Sequence, residues 1–198
     1  EKWSKCSPFV VNDLVLENPV YLGQWSEMYR PVKNSLLEPL AVIFRDRNSE
    51  RASERTLATN ILADYAADNP STLVDLLMDA DKKQFAVIYS KFREQGDKGL
   101  PVLTGVIDTK LPADLPSSDE QREKLAKRQA NAAVALLRMN QPEKVWPLLK
   151  HSPDQRVRSY LIHRMGPLGA DVGAVIKRLD EEPDLTIRRA LILSLGEY

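Results

Sequence analysis

His151 and His163 are the only imidazoles in the 198-residue chain, and twelve residues separate them. A histidine-built zinc site needs its ligands about one helical turn apart, as in H-x-x-x-H or H-E-x-x-H, with further Cys, His or carboxylate donors close by. Neither spacing occurs, and Cys6, the one cysteine, stands at the far end of the sequence. General-base work by either histidine would need a nucleophile beside it that the sequence does not point to. The close carboxylates Asp79/Asp81 and Glu181/Glu182 fall where turns are expected, and there acidic side chains serve the N-termini of helices. Two groups of cations could hold phosphate: Arg47, Arg51 and Arg55, spaced four apart, and Arg156, Lys177, Arg178 and Arg189 near the C-terminus. Glu50, Glu54, Asp180, Glu181 and Glu182 interleave with them, which reads as solvated helix faces. No catalytic residue, metal site or cofactor is expected.

The composition agrees with that reading. With 43% hydrophobic and 28% charged residues the chain has enough apolar material to fold, and Lys plus Arg balances Asp plus Glu at 28 each. There is no global field to draw in nucleic acid or an anionic membrane. No apolar run approaches the ~20 residues of a membrane span, and EKWSKCSPFV lacks the order of a signal peptide. The missing initiator Met suggests a fragment. Cys6 alone excludes an internal disulfide and leaves the compartment open: cytoplasmic by default, extracytoplasmic if a parent protein is membrane-anchored. Protein partners are expected; nucleic acid, membrane and small-molecule ligands are not.

What positions these side chains is a repeat. EKVWPLLKHSPDQRVRSYLIHRMG (residues 143 to 166) lies over GAVIKRLDEEPDLTIRRALILSLG (173 to 196) at a shift of thirty. Val145 falls on Val175, Trp146 on Ile176, Leu149 on Leu179, Pro153 on Pro183, Asp154 on Asp184, Val157 on Ile187, Arg158 on Arg188 and Leu161 on Leu191. Val157, Tyr160, Leu161 and Met165 share one face of a helix, so each unit reads as a helical hairpin. Pro stops its first helix, Asp caps its second, and Gly166 or Gly196 ends it. Weaker spellings of the same pattern run upstream from SLLEPLAVIFRD, giving about five hairpins. Pro39, Pro101 and Pro147 should each bend a first helix. TKLPADLPSSDE reads as a loop inside the third hairpin. Residues 1–34 carry Trp3, Tyr21, Trp25 and Tyr29 but no repeat signature, and are expected to form an irregular cap whose aromatics could meet a neighbouring domain. The fold expected is all-α: an α-solenoid over residues 35–198, forming a single domain with the cap.

The pattern D-x-x-V/I-R-x-x-A/Y-L closing on L/M-G, in DQRVRSYLIHRMG and DLTIRRALILSLG, resembles the HEAT repeat. More narrowly, LATNILADYAADNP, the stretch from RQANAAVALLRMN to MGPLGAD, and RRALILSLGEY resemble the helical region of large bacterial multidomain proteins. Those carry a serine/threonine kinase domain and a formylglycine-generating (sulfatase-modifying factor) type domain. No kinase motif lies in this chain, so the resemblance implies a non-catalytic scaffold for inter-domain or protein contacts. It also implies a structural ladder of Asp154, Arg158, Asp184 and Arg188 holding successive hairpins in register. The alternatives are a nucleic-acid-binding HEAT protein akin to the HEAT-type DNA glycosylases, and a HEAT-like lyase with a pocket of convergent polar groups. Arg156, His163, Arg189, Leu193 and Tyr198 form the candidate interaction surface. The apolar pattern of the last helix suggests an edge that meets whatever follows.

Overall fold

The computed structural model describes residues 2–112, 116 and 120–198, and among them there is no β-strand. The helices are α1 (Lys2–Leu16), α2 (Pro19–Tyr29), α3 (Lys33–Arg45), α4 (Ala52–Tyr65), α5 (Pro70–Asp79), α6 (Lys82–Glu94), α7 (Leu100–Asp108), α8 (Glu120–Arg138), α9 (Arg156–Arg164), α10 (Val172–Glu181) and α11 (Leu185–Leu195). The anticipated loop at 109–120 falls partly outside the described residues. Where one stack was anticipated, the described residues gather into two compact units: one runs to Leu76 and adds Lys83–Gln95, the other takes Leu77–Lys82 and follows on from Gly96.

The first unit is built on the antiparallel pair α3 and α4, against which α1 also packs. Leu36, Leu40 and Phe44 of α3 are fully buried, spaced four apart on one helical stripe, and meet a core that includes Ile61, Leu62 and Tyr65 of α4. Each such side chain contributes roughly 1.5–3 kcal/mol by leaving water. Residues 1–34, where an irregular cap was expected, carry two helices. Val11, Leu14 and Val15 give α1 a buried stripe, and Asn18, accepting the Val20 N–H at 3.0 Å with Pro19 behind it, opens α2. Yet α2 buries none of its residues.

In the second unit α8 packs against both α7 and α9, and α11 against α9 and α10. Every residue of α8 from Gln129 to Leu137 is buried. Four of those nine are alanines, which lets neighbouring backbones approach from all sides. The stretch EKVWPLLK, expected to be a helix, contains only a 3-10 turn at Trp146–Leu149. Prolines at 142 and 147 leave too few donors there for an α-helix. Pro147 and Pro101 occupy first-turn positions, where the missing N–H has no partner to lose. Of the three prolines expected to bend a helix, only Pro39 is interior to one.

The glycine that ends α9 is Gly169 rather than Gly166. At φ 80° it lets Ala170 N–H reach Met165 O at 2.9 Å, the six-to-one bond of a Schellman turn. Asn140, at φ 57°, does the same after α8, with Gln141 N–H on Leu136 O. Gly166 serves close approach instead, because a Cβ there would stand 2.5 Å from the Glu197 carbonyl oxygen. The C-terminal tail closes onto the bare backbone.

Candidate interaction surfaces

The four residues expected to form an Asp–Arg ladder do not pair with one another. Asp184 caps α11, accepting from Thr186 N–H at 2.7 Å and Ile187 N–H at 3.3 Å. The Thr186 hydroxyl, those amides and nearby Lys150 hold its carboxyl down at about 2. Asp154 accepts from the Arg156 amide and side chain, and Gln155, not Asp154, is the cap of α9. Arg188 is exposed and makes no side-chain hydrogen bond or ion pair among the described residues. Arg158 links hairpins through backbone, its guanidinium donating to Leu149 O at 2.9 Å and to Thr186 O at 3.2 Å, and Asp184 stands 3.5 Å from Lys150 of the preceding hairpin. Backbone carbonyls take the place of the expected carboxylate partner, because Asp184 is spent on capping α11 and Asp154 on Arg156.

A ladder of another chemistry exists, built from residues that carry no local signal in the sequence. Asn131, 1% exposed, donates its amide to the carbonyls of Leu77, Met78 and Ala80 around the end of α5. Gln129 does so for Val106, Ile107 and Thr109 at the end of α7, and Gln84 for Phe44 at the end of α3. Arg55 donates to Asp46 O and Asn48 O. Helix C-termini leave carbonyls without intrahelical donors, and these side chains satisfy them. Arg164 bonds Asn131 Oδ1 at 2.6 Å and lies over the Tyr160 ring, which Lys127 also approaches. The Tyr160 hydroxyl donates to Glu123, whose carboxyl is thereby lowered.

The expected cationic stripe is engaged internally. Arg47 donates to Gln84, Arg51 pairs with Asp46 and Glu54, and Arg55 holds the two carbonyls named above. Near the C-terminus Arg178 donates to Glu182 at 2.8 Å and Arg156 to Asp154 at 2.7 Å, whereas Arg189 is exposed and has no partner among the described residues. His163 is exposed, its Nδ1 2.7 Å from Glu197 Oε1. Among the described residues no group of three potential metal ligands converges, and no helix is long and apolar enough to cross a membrane.

Large apolar side chains reach solvent at Val42 on α3 and in two larger groups. On α1 and α2 these are Phe9, Leu16, Val20, Tyr21 and Met28, beside an aromatic cluster in which Trp25 stacks on Tyr29 at 6.2 Å and Trp3 meets Tyr29 edge-on at 6.5 Å. On the last hairpin they are Val172, Ile176, Leu185, Ile192, Leu193 and Tyr198. Tyr198 is half-exposed, and partial burial together with the Asp171 charge pushes its hydroxyl up to about 12. Of the candidate surface, the structure thus brings Leu193, Arg189 and Tyr198 to the outside of one hairpin, with His163 held to its tail. Two open hollows of about 410 Å³ flank α3. One lies between Pro8, Val11, Pro39 and Val42, with Asn12, Glu38 and Arg51 also on its walls; the other contains the Arg45–Asp75 ion pair at 2.7 Å. No protein-family model, curated protein or solved structure matches the chain.

Proposed function

We propose that the chain is a non-catalytic scaffold of stacked helical hairpins, HEAT-like in register, that docks protein segments on its exposed apolar faces within a larger bacterial signalling or modifying protein. The observation that carries this reading is the surface of α2: an eleven-residue helix with no buried residue, showing Val20 at 79% and Met28 at 56% exposure. A helix of that character buries its apolar side chains only when a partner arrives. The recurrence of hairpin contacts at a thirty-residue shift supports the repeat register. Nucleic-acid binding is disfavoured by the state of Arg47, Arg51 and Arg55, whose guanidiniums already serve protein acceptors.

The test is a photo-crosslinking amino acid placed at Val20, at Ile192 and, as a control, at the exposed Lys124 in the full-length protein in its native cell. Crosslinks to polypeptide are expected at Val20 and Ile192 above the Lys124 background. Crosslinks to nucleic acid, or none above that background, would refute the reading.

A further inference from the structure

The last two hairpins allow an internal comparison, because the same repeat positions occur once with a hairpin packed over them and once without. α11 packs against α9 and the Trp146–Leu149 turn. On those two elements Trp146 is 6% exposed and Ile162 5%, and in the turn after α9 Leu168 is 6% exposed. Thirty residues on, at the equivalent positions, Ile176 is 46% exposed, Ile192 56% and Tyr198 46%. The positions that face inward within each hairpin behave alike in both: Val145 and Val175, and Leu161 and Leu191, are at most 1% exposed. Leu149 and Met165 are buried where Leu179 and Leu195 are half-buried, so the largest differences fall at Trp146/Ile176, Ile162/Ile192 and Leu168/Tyr198.

The polar contacts divide the same way. Arg158 reaches Thr186 O in the next hairpin, and the Thr186 hydroxyl accepts His151 N–H while Asp184 stands 3.5 Å from Lys150. Arg188, the equivalent of Arg158, is exposed with no partner among the described residues. An arginine that donates to a neighbouring hairpin in one repeat is idle in the next.

From this we infer that the outer face of α10–α11 is a docking surface for a partner helical hairpin in the register that α10–α11 takes on α9. Ile176, Ile192 and Tyr198 supply its apolar floor, and Arg188 donates to a backbone carbonyl near the start of the partner's second helix. That second helix opens, as α11 does, with an Asp-type cap and a hydroxyl residue two positions later. This inference rests on the repeat-scaffold reading and names the class of partner one face takes.

The experiment appends a second copy of residues 169–198 after Tyr198, holding a hairpin of the right class at high effective concentration. Amide exchange of residues 185–195 in the first copy should slow about tenfold or more relative to the unextended chain. Ile192→Asp, or Arg188→Leu, in the first copy should erase most of that gain while leaving the unextended chain's melting nearly unchanged, since both side chains are exposed there. No slowing in the extended chain, or slowing indifferent to Ile192→Asp, overturns the inference. So does a concentration-dependent dimer of the unextended chain that Ile192→Asp dissolves, which would make a second copy the occupant. This experiment reads packing alone, so its outcome is separable from the crosslinking result in cells.

Discussion

Asn131 satisfies three carbonyls with one buried amide and accepts from Arg164 at the same time. Replacing it with Ala strands those groups without water, at a cost of about 2–4 kcal/mol in urea unfolding; an unchanged midpoint would mean solvent reaches the site. Gly166→Ala drives a Cβ to 2.5 Å from Glu197 O, so the tail must move, at roughly 1–3 kcal/mol. Asp184→Ala removes the cap of α11 and should lower the melting temperature at pH 7 by about 2–4 °C. The carboxyl sits at about 2 in the fold against an ordinary 3.8. Its stabilisation is complete above the ordinary value and lost as pH falls toward 2. The melting difference between wild type and Asp184→Ala should accordingly shrink from pH 4 to pH 2, and a constant difference would assign the cap to other groups. Asp184 was readable as a cap because the amides that donate to it lie two and three residues on. Asn131 was not, because its acceptors lie more than fifty residues away and nothing local marks an amide as buried.

Elements with a strong apolar period were legible: α3, α4, α9 and α11 follow their patterns, and the Pro-Asp punctuation places the start of α11. α1 and α2 were not, since an interior Pro8 and an exposed apolar α2 blur the contrast between faces on which a periodicity argument depends. The Trp146–Leu149 turn keeps the buried residues of a repeat helix without the helix, so the thirty-residue alignment reads it as one. The repeat equivalence makes a paired prediction. Ile162→Ala should cost about 2–4 kcal/mol, as burial at 5% implies, while Ile192→Ala at 56% exposure stays within about 0.5. Equal costs would mean the two positions do not correspond. Arg188→Leu in the unextended chain should likewise change stability by less than about 0.5 kcal/mol, whereas a residue of the ladder that the HEAT resemblance implied would cost more.

At the scale of the whole molecule, side chains that serve helix-end carbonyls tie helices together within each unit, and an apolar face is left uncovered on α10 and α11. Charge is balanced at 28 and 28, so neither solubility nor partner choice follows from net charge. Native-state hydrogen exchange on residues 1–198 tests this most directly. α8, buried on every side from Gln129 to Leu137, should exchange only by global opening of its unit, and α11, covered on one side, at least about tenfold faster by local opening. Amides of α11 as slow as those of α8 would mean that its outer face needs no partner, and would contradict the docking role assigned to it.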